Sequence, residues 1–335
     1  MIRRYVQVND VHLSDQAPRG RTASYLDDVL AKLDWCARYA ASLDATLVIT
    51  GDLFHRKNAA HTTHRTVQRV REVLDLAPLV YIVPGNHDAA YGGGLDGQPL
   101  RSVLSERVSL LDGAADDSYI AGVPWDNAFE REGGAATLAA AITAAARPLV
   151  VAHAPLTLTP FPFGPEAAGW IEVAEVASQI LGRGPGEVVR LVAHGHMHKQ
   201  QAVQHYAFED RALTFSNPGA LSRATVAADD VEREPAVAVI TYDTERLAVE
   251  VRYEMVPHRP AAEVLLVAEH AADVQRDGRV EALSRALLQS YAEVVDEQAL
   301  HELLATLTRP EEIPEDSWQR GLLLAGAAID GKVLP

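Results

Sequence analysis

The sequence predicts an α/β protein from three observations. Short β-branched runs recur, amphipathic helical stretches separate them, and the runs end in Gly, Asp, Asn or His. The clearest run is Leu79-Val80-Tyr81-Ile82-Val83, which breaks at Pro84 into Gly85-Asn86-His87-Asp88. A buried strand that breaks into a tight turn presents side chains at its carboxyl end, where open α/β sheets collect ligands and catalytic groups. This turn offers an amide oxygen, an imidazole and a carboxylate on adjacent residues, hence two candidate metal ligands and a candidate proton donor.

The other elements follow in order. Arg4 to Val8 alternate and lead to Asn9-Asp10-Val11-His12. Ser24 to Leu43 places Leu26, Val29, Leu33, Cys36 and Tyr39 at helical spacing, and Thr46 to Thr50 is a second buried strand ending in Gly51-Asp52. Strand, helix and strand in that order predict a parallel pair. His61 to Leu74 predicts a helix with His64, Val67, Val70 and Leu74 on one face. Short strands are expected at Val108 to Leu111 and Ser118 to Val123, and an Ala-rich helix at Ala135 to Ala146. Leu149 to Ala152 is a strand ending at His153. Pro155 to Trp170, rich in Pro and Phe, is expected to be an irregular lid or docking loop. A helix over Glu172 to Leu181 precedes the strand Val188 to Ala193, which ends in His194-Gly195-His196-Met197-His198. Strands at Leu213 to Phe215, Ala236 to Tyr242 and Leu247 to Met255 complete the body. After Pro260 the texture becomes helical, with faces at Val280, Leu283, Leu287 and Tyr291 and at Leu300, Leu303, Leu304 and Leu307, and a third helix opening near Pro314; the boundary is expected near Pro257. The expected division is 1–256 for the body and 257–335 for a helical tail.

Composition sets limits on function. Thirty basic against forty-six acidic side chains give a formal charge of −16, the wrong sign for holding nucleic acid by bulk attraction to phosphate. A polyanionic substrate would have to be held locally, by metal ions or a basic strip. The tail carries 14 acidic and 7 basic residues and makes a poor nucleic-acid arm. The single Cys36, on the apolar face of a helix, excludes an internal disulfide and a thiolate metal cluster. No apolar run approaches the roughly 18 residues of a membrane span, so a cytoplasmic protein without a membrane association is expected.

Five predicted strand ends carry acidic, amide or imidazole groups: Asp10 with His12, Asp52, Asn86 with His87, His153, and His196 with His198. Such a donor set without Cys suits a borderline divalent ion such as Mn²⁺, Fe²⁺ or Zn²⁺. It holds too many ligands for one ion. Two ions sharing a carboxylate, about 3.5 to 4 Å apart, could clamp both the attacking and the leaving oxygen of a displacement at phosphorus. The ordered pattern D-x-H, G-D, G-N-H-D, a lone His after a strand, and G-H-x-H resembles the calcineurin-like metallophosphoesterase superfamily.

The resemblance implies a four-layer α/β/β/α sandwich of two mixed sheets, with a small C-terminal helical region. It implies one metal held by Asp10, His12, Asp52 and His198, and a second held by Asp52, Asn86, His153 and His196. Hydroxide generated at the metals would attack phosphorus, His87 would protonate the leaving alcohol, and Asp88 would orient the turn. Gly51-Asp52-Leu53-Phe54-His55-Arg56-Lys57-Asn58, Val83 to Asp88 and Ser216 to Arg223 are similar to the nuclease subunit of DNA-repair complexes, of the SbcD and meiotic recombination eleven kind. His55 would then assist His87. Arg56, Lys57 and Arg223 are candidates for holding the DNA backbone. The resemblance implies a Mn²⁺-dependent exonuclease and single-strand endonuclease for repair or recombination, partnered by an SbcC-type SMC-like ATPase, and is compatible with a homodimer. A phosphodiesterase or phosphatase for a nucleotide or other small ester shares the site chemistry and is the alternative. Phe161, Phe163 and Trp170 are expected to pack against the body, or else to stack on unpaired bases. His194, His61 and His64 are expected to be packed or supporting residues.

Overall fold

Side chains along β1 (Ile2–Val8) alternate between two cores. Val6 and Val8 face a helix layer, whereas Tyr5 faces the opposite way into a second apolar layer. The structure, a computed structural model, describes residues 1–56, 62–89, 94–115, 119–158, 169–183, 188–226, 228–268 and 319. The expected tail helices, Lys57, His61, Phe161 and Phe163 lie outside the described residues.

After β1 come α1 (Tyr25–Ser42), β2 (Thr46–Ile49), α2 (His64–Leu74), β3 (Val80–Ile82), α3 (Pro99–Ser102), β4 (Val108–Leu110), β5 (Gly113–Ala114) and β6 (Ile120–Val123). Then α4 (Gly134–Ala144), β7 (Leu149–His153), β8 (Leu156–Thr157), β9 (Ile171–Glu172), α5 (Val173–Leu181) and β10 (Leu191–Gly195) follow. The remainder is β11 (Gln201–Phe208), β12 (Arg211–Asn217), α6 (Ala228–Glu232), β13 (Ala236–Asp243), β14 (Ala248–Met255) and α7 (Ala261–Val264). Two six-stranded mixed sheets result, ordered β14-β13-β1-β2-β3-β4 and β11-β12-β10-β7-β6-β5. β1 through β4 pair in parallel, as do β6, β7, β10 and β12, while β13, β14, β5 and β11 add antiparallel edges.

The cores give the layer order. Leu47 and Ile49 of β2 join Val29, Leu33 and Cys36 of α1 and Val70 and Leu74 of α2. Val150 of β7 and Val192 of β10 join Leu138 and Ile142 of α4 and Val176 and Ile180 of α5. Between the sheets lie Tyr5, Val48, Leu149, Val151, Leu191 and Ile240. This is the four-layer α/β/β/α phosphoesterase sandwich of two mixed sheets that the sequence leads one to expect.

Local differences have local causes. The buried face of α2 is Thr66, Val70 and Leu74, with His64 exposed. The reason is the helix start: the Thr63 side chain accepts from the Thr66 N–H, and Asp15 accepts from the Thr63 N–H and hydroxyl, which pins the first turn at the surface. The polar strand β11 lies on a sheet edge, where solvent faces much of it.

Helix α1 buries two charges that periodicity alone would put in water. The Asp28 carboxylate accepts from Arg21 Nη2 at 2.9 Å and lies 3.3 Å from Lys32 Nζ, all three side chains being buried. Burial pushes Lys32 down to about 8; it also works against the Asp28 carboxylate, but Lys32 and Arg21 outweigh it and hold that group below its usual range. Asp28→Ala would strand two buried cations and is expected to cost about 3–5 kcal/mol of stability in chemical denaturation. Asp34→Ala, which breaks the exposed pair with Arg38, should cost under about 1 kcal/mol.

The chain divides into compact units Met1–Leu265 and Leu266–Pro335, and of the second only 266–268 and 319 are described. No helix among the described residues is long and apolar enough to cross a membrane.

Candidate metal centre

Five strand ends of the two sheets meet at one edge of the sandwich. β1 delivers Asp10 and His12, β2 delivers Asp52, and β3 delivers Asn86, His87 and Asp88; β7 delivers His153, and β10 delivers His196 and His198. A buried polar strip joins the sheets beneath them. Gln7 Nε2 donates to Asn9 Oδ1 at 3.0 Å, Asn9 Nδ2 donates to the His194 carbonyl at 2.7 Å and to Asn217 Oδ1 at 2.8 Å, and the Ser216 hydroxyl donates to Gln7 Oε1 at 2.7 Å. Every member finds a partner, so the strip can hold the two sheets in register without stranding a polar group.

The backbone is strained where the side chains converge. Asp10, His12, Asp52 and His196 all have left-handed φ, between 47° and 83°. Non-glycine residues enter that region at a cost, and a cluster of them is characteristic of functional sites. Glycines make room beside them. A Cβ on Gly51 would overlap the His153 ring, and one on Gly85 would overlap the Asp52 carboxylate and backbone.

Three donor groups emerge among the described residues, each with ligating atoms within 4.8 Å of one another, and two of them consist of the expected ligands alone: Asp10, His12 and His198, and Asp52, His153 and His196; the third is His12, His55 and His87. His12 Nε2 lies 2.9 Å from His198 Nε2. Asn86 Oδ1 lies 2.9 Å from His153 Nε2 and 3.2 Å from His196 Nδ1. Asp52 stands between the groups, with Oδ2 3.7 Å from His12 Nε2 and 3.5 Å from His153 Nε2. Its Oδ1 accepts the His87 backbone N–H at 2.8 Å. Asp10 accepts the His196 N–H with both oxygens at 3.1 Å, and His198 Nε2 is 4.0 Å away. All seven sequence-derived ligand candidates are thus brought together.

Burial and mutual charge shape the electrostatics of the cluster. Burial pushes His12 well down and His196 to about 3, so both rings are neutral and offer a lone pair. Burial raises the Asp10 carboxyl. It also disfavours charge on Asp52 and His153, but their mutual attraction prevails, holding Asp52 low and His153 up at about 9. The Nδ1–H of His153 donates to the Thr50 carbonyl at 2.7 Å, which turns Nε2 towards the cluster. Carboxylate, amide and imidazole donors without sulfur suit two divalent ions. Asp10, His12, Asp52 and His198 would hold one, and Asp52, Asn86, His153 and His196 the other. When bound, such ions supply Lewis acidity, bringing the pKa of water from roughly 15.7 towards 7 and offsetting charge on phosphoryl oxygens.

His87 has a different setting. Its Nδ1–H donates to the His55 carbonyl at 2.7 Å, which fixes the ring and leaves Nε2 outside that bond. Its ring meets the His12 edge at 5.0 Å and stacks on His55 at 5.7 Å with 13° between planes. His55 Nδ1 lies 3.4 Å from His12 Nδ1, and burial followed by the nearby His87 pushes His55 down to about 4. Asp88 does not reach the cluster. Its carboxylate accepts from the backbone N–H groups of Gly85, Phe54 and Leu53 at 3.0 to 3.3 Å, tying the loop after β2 to the turn after β3. Burial, then Asp52, raises it to about 7.

Arg56 is exposed one residue from His55. Arg223 is not brought to the cluster: it is buried, and its guanidinium donates to the Arg259 carbonyl. Its neighbour Ser222 touches the site instead, donating to the Asp10 carbonyl at 3.2 Å. His194 is buried against Phe215. Sequence reasoning missed Trp125, which follows β6 and lays its ring on His196 at 4.7 Å with 27° between planes. A tryptophan directly after a buried strand was the available signal.

The family model described as calcineurin-like phosphoesterase matches residues 3–200, more than half of the chain, and the chain belongs to that family of dinuclear metal-dependent hydrolases. No curated protein matches it. Among solved structures, a 5′-nucleotidase precursor from Thermus thermophilus is similar with a TM-score of 0.44 at 12% identity, over 82% of this chain and 59% of that one. The nuclease MPE of Pseudomonas putida gives a TM-score of 0.27 at 17% identity, over 70% of this chain and 83% of that one. The chain therefore spans less than two thirds of the nucleotidase's length. Likenesses this distant carry no argument about substrate.

Proposed function

We propose that this chain is a Mn²⁺-dependent DNA phosphodiesterase of the SbcD-like kind, acting in repair or recombination as an exonuclease and single-strand endonuclease with an SMC-like ATPase partner of the SbcC type. The observation that carries the reading is the His87 and His55 pair. An imidazole with one ring nitrogen committed to the His55 carbonyl stands beside the two donor groups, and the residue after His55, Arg56, is an exposed cation that begins the run Arg56-Lys57. This run can hold a phosphate locally in a chain whose net charge repels it. Within the reading, Asp10 and Asp52 hold the metals, His87 Nε2 gives its proton to the leaving alcohol, and Asp88 fixes the turn. Arg56 and Lys57 steady the backbone.

The test is the purified full chain with Mn²⁺, Fe²⁺ or Zn²⁺, given labelled duplex DNA, single-stranded DNA and a small phosphodiester in parallel, with and without the ATPase. DNA cleavage is expected with Mn²⁺. The double change Arg56→Ala with Lys57→Ala should depress it far more than hydrolysis of the small ester. Turnover of the small ester without DNA cleavage, even with the ATPase added, would refute the nuclease reading and leave a small-ester phosphodiesterase.

A further inference from the structure

Two tryptophans from separate segments converge on one metal-site imidazole. Trp125 is anchored by its backbone N–H to the Pro84 carbonyl at 3.0 Å and by its indole N–H to Asn127 Oδ1 at 3.0 Å. Its ring lies along His196, meets His153 edge-on at 5.9 Å and is backed by Phe129 at 6.4 Å. Trp170 leads into β9, is 37% exposed, and stands 6.2 Å from the same His196 ring at 44°. Both indoles belong to the flank of Asp52, His153 and His196. His87 and His55 lie on the other flank, against His12.

We infer that Trp125 and Trp170 form an aromatic rim that stacks the nucleobase on the retained side of the scissile phosphate, so that the substrate class is a nucleotide ester with an unpaired base. The inference rests on the phosphodiesterase reading above and narrows it. In an in-line displacement the leaving oxygen faces the proton donor, which is His87. The attacking oxygen lies opposite it, and the group kept on phosphorus lies equatorial, across that line, from where it can reach the flank that carries the two indoles. Every base offers a π-face, so stacking holds a nucleotide without sequence preference and without positive charge. That second property matters in a chain of net charge −16. A base still paired in a duplex is stacked on its neighbours and has no free face to offer; a frayed end or a single strand has one.

The test compares esters that share one leaving group. Thymidine 5′-(4-nitrophenyl phosphate), its 3′ isomer and methyl 4-nitrophenyl phosphate all release 4-nitrophenol by taking up one water, and differ only in the group retained. The readout is kcat/KM for the better thymidine isomer divided by that for the methyl ester. Because it is a ratio within one preparation, loss of folded protein or of metal cancels. The ratio is expected to be well above one, to fall about tenfold in Trp170→Ala and in Trp125→Leu, and to stay within about threefold of its original value in Trp170→Phe. A purely structural role for the indoles, holding His196 in place, would slow all three esters equally and leave the ratio unmoved; that result overturns the inference. A tryptophan-dependent ratio in a protein that cuts no DNA keeps the rim and removes the nuclease reading. DNA cleavage with a flat ratio does the reverse, and turnover of none of these substrates removes both.

Discussion

Asp52→Asn should strip the centre of metal while leaving the fold in place. The amide has the same shape and still offers an oxygen to the His87 N–H, which Asp52 Oδ1 accepts at 2.8 Å. What it loses is the charge between His12 Nε2 at 3.7 Å and His153 Nε2 at 3.5 Å, one from each donor group. Loss of residues that merely orient a ligand costs about 10- to 100-fold in metal affinity. A carboxylate shared by two ions should cost more than about 100-fold for both. Metal content after dialysis, read by atomic spectroscopy, should fall from two ions per chain to none. One retained ion would show that Asp52 serves a single site. A second readout needs no metal: the His153 ring, held up at about 9 by Asp52 against the effect of burial, should titrate far lower in the metal-free variant. Unfolding would instead return it to about 6.5.

Much of this arrangement is legible in the sequence because parallel strands buried on both faces read as apolar runs. Thr46 to Ile49, Val80 to Ile82 and Leu149 to His153 each announce a strand, and each ends at, or a few residues before, a residue with chemistry on it: Asp52, Asn86 and His153. That the five ends converge follows from the sheets pairing side by side in parallel, a long-range consequence that the ordered motifs made visible. What the sequence hid has physical reasons. β11 carries polar residues through an edge strand, so neither an apolar run nor a clean alternation marks it. Gln7, Asn9, Ser216 and Asn217 look like ordinary polar residues until two sheets bring them into contact over some 200 positions of chain. Arg223 follows a motif-like segment, but its side chain turns inward to the Arg259 carbonyl, and nothing local dictates that choice.

Asp28 and Trp125 show the same limit from opposite sides. A charge on a helix is read as solvated unless its partners are known, and here Arg21 and Lys32 supply them from seven residues before and four after. A tryptophan after a strand is read as core unless the neighbouring ring is known, and here that ring is a metal-ligand candidate. Side-chain partners, more than element boundaries, separate the predicted site from the observed one.

The second large effect falls on His87. His87→Ala should lower kcat for an alkyl phosphodiester, DNA included, by about 10² to 10⁴-fold, the usual contribution of a positioned general acid. The basis is an asymmetry in the ring: Nδ1–H is committed to the His55 carbonyl at 2.7 Å, whereas Nε2 is not, and the residue is only half-buried. An alkoxide leaves badly without a proton. A 4-nitrophenolate is stable at neutral pH and leaves without one, so the same variant should lose less than about tenfold on a 4-nitrophenyl ester. Metal content should remain two per chain. That control is needed because His12, His55 and His87 also have ring nitrogens within 4.8 Å of one another and could themselves hold a cation. A variant that loses metal along with activity, and loses both esters equally, would assign His87 as a ligand. A variant that keeps its metals and discriminates by leaving group assigns it as the acid, and places the departing oxygen on the His12 flank.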